Sequence, residues 1–167
     1  GLNSTFTGSC SGNFNPQVTI KNQGLFPLDD YSIQLFVNNT LEETIDFNET
    51  LESNEQKTVY FSLLTFDNPG EYSIFYRVNL EGEFTDERLE NNEKIEFYQK
   101  LEQSSLPYNK KFSSNLSPWA IRNIDGEETW QLFGNAMGIP FYENRENFGQ
   151  KEEIISPIFD FTTIDVP

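Results

Sequence analysis

One group of metal-binding residue types lies around a glycine in the second half of the chain. Asn123, Asp125 and Glu127 present side-chain oxygens at alternate positions there. Calcium prefers clustered carboxylate and amide oxygens on a flexible loop. The Asp-Gly dipeptide inside this stretch is also typical of a type I′ hairpin turn, because both central residues of that turn need positive φ. The segment therefore predicts either a plain hairpin turn or a calcium loop, with Glu152 and Glu153 as distant additional ligands.

Two tryptophans flank this stretch and present a second candidate chemistry. Trp119 and Trp130 could stack on a sugar ring, as exposed aromatic side chains do in carbohydrate-binding sites. They are in phase with Ile121 and Leu132 along their predicted strands, which favours burial in a core. Both interpretations stay open at the level of sequence.

A third candidate site comes from the phase of three aromatic residues. Phe36, Phe75 and Tyr98 are predicted to lie on the face opposite the core residues of their strands. In an immunoglobulin-like topology these strands share one sheet, so the rings should form a cluster on its outer face. Contiguous exposed aromatic side chains mark interfaces. The alternative is that each ring is isolated among polar neighbours. If the cluster forms, we expect an interdomain contact with the following unit.

Composition excludes several catalytic classes. The chain has 27 Asp and Glu against 11 Lys and Arg, and it has no histidine. The absence of histidine removes a Ser-His-Asp triad, a Cys-His pair and a His-based zinc site. Such an acidic surface also repels nucleic acid and anionic membranes. The single cysteine, Cys10, allows no internal disulfide, and no apolar run reaches the length of a membrane span.

Paired carboxylates occur, but their context does not favour glycosidase chemistry. That chemistry needs two acids across a cleft, one of them with a pKa raised by burial. The adjacent acids here, at 42–43, 127–128 and 152–153, resemble solvated turns. We therefore predict that the chain is not an enzyme.

The elements that position these candidates read as short β-strands separated by tight turns. Alternation predicts strands at 17–21, 31–37, 42–47, 57–63, 71–80 and 94–99. Asn-Gln-Gly at 22–24, Asn-Asn at 38–39 and Asn-Pro-Gly at 68–70 are turn signals. Six or seven strands at this spacing predict an antiparallel, Ig-like β-sandwich over residues 1–101.

The remaining residues, 102–167, predict a second and shorter β unit. The Asp-Gly turn is expected to join strands around 119–124 and 128–133 in a hairpin. Residues 134–149 read as a loop, and 154–161 as a strand interrupted by Pro157. Three or four strands are fewer than the eight of a jelly roll, so we expect this unit to be incomplete.

The first hundred residues resemble the bacterial cell-adhesion-related Ig-like domain called CARDB. The resemblance rests on the phrases Val18-Thr19-Ile20-Lys21-Asn22-Gln23-Gly24, Tyr31–Val37 followed by a turn, Pro69-Gly70-Glu71-Tyr72, and Glu87 with Glu90-Asn91-Asn92. It implies a seven-stranded sandwich that serves as a repeat or accessory domain in secreted and surface proteins. Glu87, Glu90 and the two asparagines could also hold a cation, but they favour turn chemistry because Asn bonds its own backbone.

The second unit resembles the start of a jelly-roll module of the cleaved-adhesin or choice-of-anchor J type. Its phrases are Leu106-Pro107-Tyr108 with Phe112, Trp119, Asn123-Ile124-Asp125-Gly126 with Trp130, and Ile154-Ile155-Ser156-Pro157. The resemblance implies a carbohydrate-binding-module-like sandwich, often with calcium, on proteins of the type IX secretion route. Here Ser113-Ser114 follow Phe112 where the family often has an acid, and Glu152-Glu153 replace an Asp of the family.

These observations predict a non-catalytic, extracellular accessory module of a larger bacterial secreted or cell-surface protein. Its expected roles are spacing, display or adhesion, and its expected partners are the parent polypeptide and an extracellular glycan or protein. One alternative is a carbohydrate-binding module. Another is an accessory region of a secreted metalloprotease whose catalytic part is encoded elsewhere. Calcium is the one cofactor that the residues suggest. Because the chain begins at Gly1, we expect it to be a piece of a longer protein.

Overall fold

The chain folds into two compact units, Gly1–Lys100 and Leu101–Pro167. The structure is a computed structural model, and it describes residues 6–9, 11–80, 88, 91–123, 129–140 and 151–161. Regular structure in these ranges is β-strand, which confirms the predicted all-β class. None of the described residues forms a helix long and apolar enough to cross a membrane.

The described residues of the first unit form nine strands. In chain order they are β1 Phe6–Ser9, β2 Asn13–Phe14, β3 Gln17–Lys21, β4 Tyr31–Val37, β5 Thr40–Phe47, β6 Gln56–Tyr60, β7 Leu64–Thr65, β8 Gly70–Leu80 and β9 Glu93–Lys100. The predicted bounds of β3 and β4 are confirmed to the residue. The other predicted strands are confirmed with ends that differ by one to three residues.

A five-stranded sheet with the order β1-β9-β8-β4-β5 forms the larger layer. Its pairs are antiparallel except for β1, which runs parallel to β9. The β4–β5 hairpin turns at Asn38 and Asn39, whose φ angles are 47° and 67°. Positive φ at both positions is what a type I′ turn requires, and asparagine tolerates it better than most residues.

The smaller layer is a narrow antiparallel ribbon in which β3 pairs with β6 and β2 pairs with β7. The core lies between this ribbon and the five-stranded sheet. Its fully buried side chains come mainly from the centre of the sheet, where Ile33, Leu35 and Ile74 have no exposed surface. Val18 and Val59 pack against them from the ribbon. The alternation in β3, β4 and β8 matches this arrangement, because successive side chains point to opposite faces.

Six short strands lie in the described part of the second unit. They are β10 Gln103–Ser104, β11 Ala120–Asn123, β12 Gln131–Phe133, β13 Ala136–Gly138, β14 Glu152–Ile155 and β15 Ile158–Phe159. They form three two-stranded pairings: β10 with β15, β11 with β14, and β12 with β13.

The predicted hairpin between residues 119–124 and 128–133 is wrong. Ile121 pairs instead with Ile154, and Leu132 pairs with Met137 across a turn in which Gly134 has a φ of 60°. The turn at Gly134 pairs β12 with β13. The stretch 134–149, which was predicted to be a loop, therefore contains strand β13. Strand β11 pairs with β14 through apolar residues, and such cross-strand contacts stabilise a sheet.

Candidate functional site

An apolar patch covers the outer face of the five-stranded sheet. Residues that are directly paired across strands point to the same face, and the row Leu41, Phe36, Phe75, Ile95 is paired in this way across β5, β4, β8 and β9. Phe97 lies on the same face, two residues after Ile95. The members of this outer-face patch are half-buried, except Leu41, which is 49% exposed.

The predicted cluster is partly present in this patch. The rings of Phe36 and Phe75 lie 5.6 Å apart between centroids in a tilted arrangement. The guanidinium of Arg77 sits above both rings, 5.5 Å from Phe36 and 5.2 Å from Phe75. Its Nε also donates to Glu93 at 3.0 Å. The arginine therefore covers part of the apolar surface while its charge stays paired and solvated.

Tyr98 does not belong to the cluster, and its predicted position is corrected. It has no exposed surface, and its ring packs in the core at 5.2 Å from Phe14 and 5.0 Å from Phe66. Strand β9 has the opposite phase from the one expected: Tyr98 is paired with Tyr72 on the inner face, while Ile95 and Phe97 point outward.

The reversed phase places two charged residues on the inner face of β9, where Tyr76 accommodates them. Lys94 pairs directly with Tyr76, and Glu96 is one step further along the same face. The Tyr76 hydroxyl donates to Glu96, and the Lys94 ammonium lies 5.6 Å above the Tyr76 ring and 3.6 Å from Glu96. Burial, and then the bond to Glu96, raise the pKa of Tyr76 well above its usual range. Charged side chains are tolerated on this face because each has a partner.

The turn signal at residues 22–24 predicts a corner in the chain, but it does not predict that the Asn22 side chain holds that corner together. Asn22 is 2% exposed, and its amide nitrogen donates to the carbonyls of Phe26 and Leu51 at 2.8 and 2.9 Å. Its amide oxygen accepts from the Gly24 N–H at 2.9 Å. Asn22 therefore fixes the corner loop 22–28. Its spacing before a glycine was the available signal, since Asn bonds nearby backbone in this way.

The two tryptophans of the second unit are both half-buried. The indole N–H of Trp119 donates to the Tyr108 hydroxyl at 2.7 Å, and the Trp119 ring meets Phe112 edge-on at 5.7 Å. The indole nitrogen of Trp130 is buried and has no hydrogen-bond partner among the described residues. These contacts are internal to the unit, and sugar stacking by either ring stays a prediction.

Of the predicted calcium ligands, Asn123 and Glu152 come together. They are directly paired across β11 and β14. One carboxylate oxygen of Glu152 accepts from Thr129 at 2.6 Å, while the other is buried and unpartnered within the described part of the chain. Asp125 and Glu127 lie outside the described residues. Within the described ranges no cluster of three acidic, histidine or cysteine residues is present.

Comparison with known proteins identifies the first unit. The CARDB family model matches residues 9–96, which is just over half of the chain. Two solved structures of one CARDB domain from Pyrococcus furiosus are similar at 21% identity. The crystal structure, described as a complex with di-metal ions, covers 58% of this chain and 84% of its own with a TM-score of 0.49. The solution NMR structure covers 57% and 84% with a TM-score of 0.48. No curated protein matches.

The match spans β2 to β8 and the first half of β9, so it includes both layers of the sandwich and the corner that Asn22 holds. CARDB is a non-catalytic domain family, which agrees with the predicted absence of enzymatic chemistry. The chain belongs to the CARDB family.

Proposed function

We propose that this chain is a non-catalytic, extracellular module that acts as a load-bearing spacer in a larger bacterial secreted or cell-surface protein. Family membership supports an accessory role. Its partners in this role are the neighbouring parts of the parent polypeptide, to which both ends of the module transmit tension.

The observation that carries the proposal is the parallel pairing of the first and last strands of the first unit. In this ladder Phe6 pairs with Phe97 and Ser9 pairs with Lys100. The chain therefore enters at one end of the ladder and leaves at the opposite end. Two ends on opposite sides of a domain suit a module that separates its neighbours along a line.

The same geometry determines how the unit resists force. Tension applied through the two ends pulls β1 and β9 in opposite directions along their own axes. The ladder bonds are then loaded together in shear, since parallel bonds are evenly spaced along the strands. An antiparallel hairpin pulled from its open end loads the ladder bonds one pair at a time.

Single-molecule force spectroscopy on the full chain tests this role. The first unit is recognised by its contour-length gain of roughly 300 Å, because about 95 residues extend at 3.3–3.6 Å each. The comparison uses the same domain pulled through cysteine handles at Asp29 and Asn48, in a Cys10→Ser background. Both positions are exposed. These handles peel β5 from β4, whose open end is the pair Tyr31 and Phe47.

We expect end-to-end pulling to require a several-fold higher peak force than peeling. A variant that lacks residues 1–9 should lose the high-force event while its remaining strands stay folded. Equal peak forces in the two geometries would count against a mechanical role for the parallel ladder.

We further propose that the second unit is the N-terminal part of a jelly-roll module and that it holds calcium beside Asn123. The buried and unpartnered oxygen of Glu152 supports this, because a carboxylate oxygen in that state needs a cation or a donor. The side chains of Asn123 and Glu152 would bind the ion, together with the predicted ligands Asp125 and Glu127. Calcium would supply positive charge that stabilises the loop, with no catalytic step.

Thermal unfolding with calcium and with a chelator tests this second proposal. We expect calcium to raise the melting temperature of the second unit, with Glu152→Gln abolishing the rise and the exposed control Glu153→Gln keeping most of it. A melting curve that is identical with and without chelator would refute it.

A further inference from the structure

A cavity of about 790 Å³ opens within the first unit, beside β3 and the adjoining ends of β8 and β9. Apolar side chains from both layers line it, among them Ile20, Leu28, Leu51, Val78 and Leu80. Ligand sites in proteins usually enclose roughly 300–1,000 Å³ and are mostly apolar. The size and lining of this cavity therefore match those of a small-molecule site.

The cavity exists because the two layers of the sandwich differ in width. In the described part of the chain, β3 has one neighbour, β6, whereas the facing sheet is five strands wide. The ribbon therefore leaves part of the inner face of β8 and β9 without a covering strand, and Lys94, whose side chain is 40% exposed, lines the opening there.

The polar groups at the cavity point to a charged ligand. Among the described residues, three bases and one acid line it: Lys21, Arg88 and Lys94 against Glu93. The Glu93 carboxylate already pairs with Arg77 at 3.0 Å, and the Lys94 ammonium lies 3.6 Å from a carboxylate oxygen of Glu96. The described lining is thus net positive in a chain whose net charge is −16. A positive cleft in an acidic protein concentrates anions locally.

A second polar feature is buried in the wall. Tyr31 lines the cavity and is 2% exposed, yet its hydroxyl has no hydrogen-bond partner among the described residues. Buried hydroxyl groups are nearly always partnered by protein, water or ligand. The wall therefore offers one unused donor in addition to the bases.

The corner loop supplies a fixed apolar rim. Leu25 is 88% exposed and Phe26 is 71% exposed, and both line the cavity. Asn22 ties the loop through its bonds to Gly24 and Phe26, and the Ser53 hydroxyl donates to the Gly24 carbonyl at 2.6 Å. A loop held by these bonds keeps two large apolar side chains in water. That arrangement is costly unless a ligand covers them.

We propose that this cavity binds a free amphipathic anion. The alkyl or aryl body of the ligand lies against Ile20, Leu28 and Val78, under Leu25 and Phe26. Its carboxylate, sulfonate or phosphate group lies at Lys21 and Lys94. This binding function goes beyond the spacer role and does not depend on it.

Titration of the full chain with decanoate, followed by backbone amide NMR shifts, tests the proposal. We expect saturable one-to-one binding with shifts concentrated at 18–28, 76–80 and 91–94. The double variant Lys21→Gln/Lys94→Gln should bind at least about tenfold more weakly, which is the effect of losing one charge-assisted hydrogen bond. Leu25→Ser/Phe26→Ser changes exposed side chains only and should weaken binding without unfolding the domain.

Matched controls separate this site from general attraction. Lys111→Gln removes the same charge from an exposed position that does not line the cavity, and it should leave the affinity unchanged. Neutral 1-octanol should bind more weakly than octanoate. Shifts that spread over the surface without saturating, or equal affinities for the wild type and the double lysine variant, overturn the proposal. Binding to anionic phospholipid vesicles without binding to decanoate overturns it as well, since a free molecule must enter the cavity.

Discussion

Replacement of Asn22 is the most direct test of how the sandwich is held closed at one corner. The side chain makes three hydrogen bonds, to the Phe26 carbonyl, the Leu51 carbonyl and the Gly24 N–H. The Asn22 backbone adds two more, from its N–H to Glu55 and from Asn54 to its carbonyl. Ala removes the side-chain bonds and leaves the backbone bonds in place. Asp keeps the shape but replaces the donor nitrogen with an anionic oxygen.

The size of the effect follows from where each bond lies. Leu51 is 2% exposed, so water cannot readily replace the lost donor, although the Leu51 carbonyl keeps its bond from Leu28. The other two groups are near solvent and can rehydrate. At about 1–1.5 kcal/mol for the buried bond and about 0.5 kcal/mol for each of the others, Asn22→Ala should cost about 2–2.5 kcal/mol. For a domain of this size that lowers the melting temperature by roughly 10–20 °C.

Asn22→Asp should be worse than Asn22→Ala at neutral pH. It would bury a carboxylate against the carbonyl oxygens of Phe26 and Leu51, which repel it. Urea unfolding of the full chain, followed through NMR signals of β3, β6 and the 22–28 corner loop, measures both variants. Exposed Gln23→Ala is the neighbouring control and should stay within about 0.5 kcal/mol of wild type. If Asp proves as stable as Asn, the donor bonds do not matter and the reasoning fails.

Three further changes test the buried tyrosines and one glycine. Tyr31→Phe should leave stability equal or raise it by about 1 kcal/mol in urea unfolding, because it removes a buried hydroxyl that has no partner among the described residues. Tyr76→Phe should cost about 2 kcal/mol through the lost bond to Glu96. Burial raises the pKa of both tyrosines, so the folded state holds their protons more tightly. Stability should be full below pH of about 10 and fall above it, less steeply in Tyr76→Phe. Gly12→Ala should cost about 2 kcal/mol in the same assay, since Gly12 has φ of 74° and an added Cβ would lie 2.4 Å from the Phe66 carbonyl oxygen.

The central strands were predictable because both their local pattern and their surroundings agree. Tyr31–Val37 alternates apolar and polar residues, and it lies in the middle of the sheet with the ribbon over its inner face. Its four inward residues all belong to the buried core. The Asn-Asn turn after it was equally readable, because few other residues accept two positive φ angles in succession.

The pairing of β11 in the second unit could not be predicted from a local turn signal. An Asp-Gly dipeptide indicates a hairpin only when the two flanking strands prefer each other to every other partner. Here β11 pairs with β14, about 30 residues away in sequence, through contacts that local sequence does not encode. The β12–β13 hairpin did carry a local signal, because Gly134-Asn135 is a two-residue hairpin dipeptide, although residues 134–149 were predicted as a loop.

The wrong prediction of which face of β9 points inward and the proposed ligand cavity have one structural cause. To predict which residues of a strand point inward, we assume that the inner face of the sheet is buried and that its outer face is exposed to solvent. A ribbon of two strands does not cover the whole inner face of a five-stranded sheet, so β9 can point Lys94 inward with its side chain still 40% exposed. Glu96 also points inward, and it accepts a hydrogen bond from the buried Tyr76. Ile95 and Phe97 must then point outward and extend the aromatic pair into a patch. Any added strand that covered the inner face would have to displace the charges. The narrow ribbon therefore accounts for both the apolar outer face and the positive opening beside β3.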